Sequence, residues 1–219
     1  MPKKIMPGRT LYVANAMLGR MPSDTAEIYD EREEKLLNPY LPEDKIQIYE
    51  RQVNEWFLDP AALLLRLMGS QASFVVLSIC LSYLEGVQQY IQGLSSDPRE
   101  RSGSDGEGGS KAFFVRAFIE VFSDCNLSED QVRTLYKQAR CGLFHNGMTG
   151  YQVNYDMSSD KAFSVADDGY GNDIFYFQPE LCLAAVQVHF NNYISKLRNA
   201  NAAYEVNYRE NFLDMFSVT

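Results

Sequence analysis

The sequence is poor in the residues that hold metals and cross-link chains. It has two histidines, His145 and His189, and four cysteines, Cys80, Cys125, Cys141 and Cys182. No two of the cysteines stand at metal-ligand spacing, which argues against a structural zinc site. Four thiols without a framework pattern read as reduced, intracellular side chains. The phosphate-loop Gly-Lys-Ser/Thr, a strand–GxGxxG–helix, GxSxG and HExxH are all missing, and with them the usual signatures of nucleotide, dinucleotide, acyl-transfer and zinc-protease chemistry. Neither a metal nor a cofactor is expected. Positive charge is also short: 20 Lys and Arg face 29 Asp and Glu, for a net charge of −9. That excludes a generally basic nucleic-acid coat but leaves room for a small basic site on an acidic body.

No long uninterrupted apolar run is present. Near the start, Pro7, Gly8 and Arg9 break the approach to Ala14–Ala16, which argues against an export leader. Residues 67–84 are the most apolar stretch, but Gln71 and four serines lie within it and Arg66 precedes it. It is expected to be a buried helix rather than a membrane span. The chain is expected in the cytoplasm, with no membrane partner.

What is present is a globular composition, 46% hydrophobic and 22% charged over 219 residues. The pattern predicts a mainly α chain with one small β insert. Residues 1–41, punctuated by Pro2, Pro7, Pro22 and Pro39, are expected to be an N-terminal arm or an extra helix. Residues 42–219 are expected to form one helical domain. Pro42 stands at a helix start with Glu43 and Asp44 in the first turn, and Asp59-Pro60 is the expected stop. Residues 70–93 carry apolar side chains around most of a helix, so this helix is central, and Gly93 can close it. Its narrow polar stripe includes Glu85. Residues 95–110 lack large apolar side chains and predict a flexible connecting loop. Over 151–178 the period shortens to two, with Tyr151, Val153 and Tyr155, then Phe163 and Val165, then Ile174–Phe177, which predicts a β-meander. Helices are expected again after Pro179 and over roughly 204–216.

The clearest helix start is Ser128, with Gln131 three residues on, a capping box. This helix runs towards Asn146-Gly147, a stop signal. Residues 131–150 hold three basic side chains and no acid. At about 100° per residue, Arg133, Lys137 and Arg140 share a narrow arc beside the apolar arc of Val132, Tyr136, Ala139 and Leu143. A positive stripe bordering a packed face can hold a phosphate, and it can equally be an ordinary solvated stripe. His145 lies at the helix end, where the dipole favours its protonated form. Arginine binds phosphate bidentately and histidine exchanges protons near neutral pH.

Arg140-Cys141-Gly142-Leu143-Phe144-His145 resembles the Arg-x4–6-His motif of the HEPN superfamily. The order of elements over residues 42–200 is similar too: a long apolar helix, a variable loop, then helices with the motif near the end of a later one. The resemblance implies an α-helical bundle, usually a homodimer. It implies either a metal-independent endoribonuclease of toxin–antitoxin or defence systems, or a silent module that binds a nucleotide or a protein partner. On that basis Arg140 and His145 would be catalytic, and RNA or a nucleotide would be the ligand. Lys137, Arg133 and Asn146 would guide or orient the phosphate. Glu85 would either face the site or serve as a buried structural carboxylate. An antitoxin or another protein partner is possible. Two positions differ from the family. Cys141 stands where a polar residue often follows the arginine, and Gly147 takes the place of the tyrosine in the His-x-Tyr of toxins silenced by tyrosine modification. On an ideal helix Arg140 and His145 point about 140° apart. Either Gly142 loosens the last turn, or a two-fold axis assembles the site from two copies.

Overall fold

The computed structural model describes residues 4–95, 109–143, 147–199 and 203–218. The expected flexible loop falls mostly on residues 96–108, outside the described residues. The fold is mainly α, with two small sheets. The chain divides into two compact units, one of residues 1–60, 90–93 and 192–219, the other of residues 61–89 and 94–191.

In the first unit, the expected arm or helix over residues 1–41 is corrected to a four-stranded antiparallel sheet. Its strands are β1 (Leu11–Ala14), β2 (Met17–Arg20), β3 (Glu27–Asp30) and β4 (Lys35–Leu37), paired in chain order. Val13, Met17, Ile28 and Leu37 are buried. Gly19 is required by close approach, because a Cβ there would stand 2.8 Å from the Ile5 side chain and 2.9 Å from that of Val13. The charge run Asp30 to Lys35 is the turn between β3 and β4. The neighbouring helix α1 (Pro42–Val53) begins with Pro42 at its first turn and Glu43 and Asp44 behind it. Its Gln52 donates a 2.6 Å hydrogen bond to the Val13 carbonyl.

Asp59-Pro60 does not end the helical run. Five residues, Asn54–Leu58, adopt π-helix, with Asp59 N–H bonded to the Asn54 carbonyl five residues back, and α2 (Asp59–Met68) follows. Proline interferes with the carbonyl four residues earlier. A turn closed by i→i+5 bonds is wide enough to absorb that interference without a break. The last helix of the unit, α7 (Ala203–Met215), brings Phe212 and Phe216 against Tyr49, with ring centroids 5.2 and 5.6 Å away. Ile5 N–H donates to the Val218 carbonyl at 2.7 Å, tying the two distant segments of the unit together.

The second unit is built on the part of α3 (Ser73–Gln92) that reaches Gln89, with α4 (Ser110–Val121), α5 (Glu129–Leu135) and α6 (Pro179–Arg198) as far as Asn191. On α3, Val76, Leu77, Cys80, Leu81, Leu84 and Val87 are all buried. Gly93 closes the helix at φ 67°, with Leu94 N–H reaching back to the Gln89 carbonyl. Phe118, Phe122 and Phe163 pack as a trio with centroids 4.9–5.0 Å apart. The strands fall where the alternation predicts them: β5 (Val153–Tyr155), β6 (Phe163–Asp167) and β7 (Asp173–Phe177). The meander is corrected, however. The order is β5-β7-β6, with β5 parallel to β7. Alternation specifies a strand and its buried face, but not its neighbour. β7 is the most apolar of the three, and it takes the centre. All four cysteines are free thiols. Burial pushes the Cys80 thiol up to about 12 and that of Cys125 up to about 11.

The first unit turns on Asp30, which is fully buried. Its Oδ1 accepts from Arg51 Nη1 at 2.7 Å and from the backbone N–H of Arg32 at 3.0 Å. Burial alone would raise its pKa. The Arg51 guanidinium and the N–H groups of Arg32 and Glu33 outweigh burial and hold the carboxyl below its ordinary value. Asp30→Ala is therefore expected to cost about 3 kcal/mol in urea unfolding, by breaking the 2.7 Å buried pair and leaving Arg51 only its 3.6 Å approaches to Glu33 and Glu55. Because the folded pKa is depressed, the Asp30 contribution is complete above about pH 4 and is lost as pH falls through the folded value. Asp30→Asn should flatten that part of the acid limb. An unchanged midpoint for Asp30→Ala, or an unchanged acid limb for Asp30→Asn, would contradict this assignment.

Candidate functional site

The motif helix starts as its sequence predicts. The Ser128 hydroxyl accepts from Gln131 N–H at 3.2 Å, and the Gln131 side chain accepts from Ser128 N–H at 3.0 Å. After Leu135 the register changes. Tyr136–Cys141 is a six-residue π-helix, ending one residue beyond Arg140. An i→i+5 turn needs more residues per revolution than an i→i+4 turn, so each residue advances by less than 100°. Arg140 thereby swings off the arc it would share with Arg133 and Lys137 and towards the apolar arc of Val132 and Tyr136. The same turn aligns residues five apart, such as Tyr136 and Cys141.

The turned arginine meets a carboxylate. Arg140 Nη2 stands 2.8 Å from Glu85 Oε2, with the two side chains only 16% and 11% exposed. Of the residues selected from sequence, these two are brought together, in the middle of α3 and the end of the motif helix. Tyr136 completes the cluster. Burial, then the neighbouring Cys141 and Glu85, push its hydroxyl up to about 12 against the opposing pull of Arg140. Its ring packs edge-on against Phe114 at 5.1 Å.

The other selected residues lie elsewhere. Arg133 turns to Glu129 on its own helix, with Nε 3.0 Å from Oε1. Such an exposed pair contributes little to stability. Lys137 is exposed. His145 and Asn146 lie outside the described residues. Gly142 does not loosen the helix: its backbone is α-helical, and a Cβ there would stand 2.7 Å from the Met148 carbonyl. The chain returns over the helix at this point, and Gly150 N–H reaches the Gln138 carbonyl at 2.8 Å. Gly142 thus serves close approach.

A second titratable group was not anticipated from sequence. His189 Nδ1 is 2.6 Å from the Tyr83 hydroxyl, and its Nε2 is 3.5 Å from Glu120 Oε1. Three separated helices supply these groups, so no local spacing announces them. Among the described residues, no group of three or more His, Cys, Asp or Glu is placed to hold a metal ion. No family model, curated protein or solved structure matches the chain. The resemblance to HEPN proteins therefore rests on the motif and the order of helices.

The Glu85–Arg140 pair is expected to behave as a coupled unit. Glu85→Ala and Arg140→Ala should each cost about 3 kcal/mol in urea unfolding, since each removes one half of a mostly buried ion pair. The double variant should cost about 1–3 kcal/mol less than the sum. Strict additivity would show that the two side chains do not interact in solution.

Proposed function

We propose that this chain is a HEPN-like, metal-independent endoribonuclease acting as a homodimer in the cytoplasm, as a toxin or defence effector. The observation that carries the reading is the π turn ending beside Arg140, which holds its guanidinium against Glu85. Rare π turns recur at functional sites, and an arginine fixed before substrate arrives can stabilise developing charge without reorganising. In this reaction His145 takes the proton from a ribose 2′-hydroxyl. The 2′-oxygen bonds to the adjacent phosphorus, the bond from phosphorus to the 5′-oxygen breaks, and the protonated His145 gives up the proton it accepted so that the 5′-oxygen leaves as a hydroxyl. The products are a 2′,3′-cyclic phosphate and a free 5′-hydroxyl. Arg140 stabilises the negative charge on the phosphorane-like transition state. Glu85 is a positioning residue. Lys137 and Arg133 guide the backbone, and Asn146 orients the phosphate.

A second reading, a silent module that binds a nucleotide or a protein partner such as an antitoxin, is favoured by the same pair. Glu85 neutralises Arg140 and Glu129 neutralises Arg133. One experiment separates the two. Purified protein incubated with total RNA in EDTA should cleave it and leave 2′,3′-cyclic phosphate ends. Arg140→Ala and His145→Ala should each abolish cleavage, and mixing the two inactive variants should restore part of it if each site draws on both protomers. RNA left intact, with nucleotide binding retained, selects the silent module. Cleavage that needs added Mg²⁺ or Mn²⁺ refutes the mechanism.

A further inference from the structure

The four-stranded sheet of the first unit has an inward and an outward face. Val13, Met17, Ile28 and Leu37 lie on the inward face and are buried. Successive side chains on a strand alternate between faces, so their neighbours Tyr12, Leu18, Tyr29 and Leu36 lie on the outward one. The register lines these four up in a single row across the sheet: Tyr12 stands opposite Leu18, Leu18 opposite Tyr29, and Tyr29 opposite Leu36. Tyr12, Tyr29 and Leu36 are 48%, 37% and 59% exposed. The solvated face of an antiparallel sheet ordinarily carries polar side chains. A row that is aliphatic or aromatic on all four strands marks an interaction surface instead. Two residues along from the row, on the same face, Arg20 stands opposite Glu27, with Nη2 3.2 Å from Oε2.

The row and the charge pair share a symmetry that selects the partner. Two such sheets can pack face to face about a two-fold axis that lies between them and runs along the strands, midway between β2 and β3. That axis carries β2 over β3 of the other copy and β1 over β4, and it keeps height along the strand. Leu18 then lies over Tyr29 of the partner subunit, and Tyr12 over Leu36 of the partner subunit, so each aromatic side chain meets an aliphatic one. Arg20 lies over Glu27 of the partner subunit, and Glu27 over Arg20 of the partner subunit. Each charge gains a second opposite charge, and the four alternate in sign around the axis. Nucleic acid or an anionic membrane is a poorer fit, because residues 21–60 carry 11 acidic and 4 basic side chains. The face measures about 15 Å by 13 Å, small beside the roughly 800 Å² per partner of a tight dimer, so association is expected in the micromolar range.

We propose that the outward face of the β1–β4 sheet binds the same face of a second copy of this chain about a two-fold axis. The sheet precedes the segment that resembles HEPN proteins, so the inference is independent of the ribonuclease reading and of any contact through the motif helix. Charge exchange in the full-length protein tests it. Arg20→Glu and Glu27→Arg each bring like charges together across the axis, and each should halve the mass that wild type reaches in light scattering at up to about 200 µM. In an equimolar mixture the two variants present opposite charges to each other, and the mixture should recover the wild-type mass. Leu36→Glu, at the most exposed position of the row, should also halve the mass. Circular dichroism should be unchanged in all three variants. Wild type with the same mass as its variants would assign the face to a different partner. Charge variants that keep the wild-type mass, or a mixture that fails to recover it, would show that Arg20 and Glu27 do not meet across a two-fold axis. Each of these results overturns the proposal.

Discussion

A helix that passes from i→i+4 to i→i+5 bonding has to turn every later side chain back around its axis, and the Arg140–Glu85 pair depends on that rotation. At Tyr136–Cys141 the wider turn moves Arg140 from a solvated stripe to a carboxylate on α3. At Asn54–Leu58 it carries the helical run past Pro60 and sets Trp56 beside the β1–β2 turn. A π turn forms poorer contacts along its axis than an α turn, so it persists only where neighbours hold it. Around the first, those neighbours include the Glu85 ion pair, the packing of Tyr136 on Phe114, and the chain returning over Gly142.

Local signals were the ones legible in sequence. The Ser128–Gln131 capping box, Pro42 at the first turn of α1, Gly93 as a helix stop and the positions of β5, β6 and β7 all depend on residues within a few positions of each other. The N-terminal sheet escaped because its strands are three or four residues long, giving each only one or two inward positions. Two of its turn residues, Ala16 and Glu34, adopt positive φ without being glycine or asparagine. The parallel pairing of β5 with β7 escaped because alternation carries no information about partners. For the site, Arg140 and Glu85 were both selectable by residue type and position, but their pairing was not, since the helical wheel assumes the α register that the π turn breaks.

Charge arithmetic on the sequence also needs the structure to be read properly. Three cations without an acid over residues 131–150 look like an anion site, yet two of them find carboxylates outside that window, at Glu85 and Glu129. An anion approaching Arg140 meets a guanidinium already balanced, and must offer more than Coulomb attraction to displace or share that partner. A doubly charged or bidentate phosphate can do so by geometry, where a simple halide cannot.

The hydrogen bond between Ile5 and Val218 has a consequence for how the protein is made. The first unit joins residues 1–60 to residues 192–219, so its strands cannot complete their core until α7 has been translated. The second unit, contained almost wholly between them, can fold while synthesis continues. Its order of assembly is thus inverted relative to the order of the message. During that delay the apolar faces of β1 to β4 and α1 stay open, and the nascent chain is at its most exposed to chaperones and proteases.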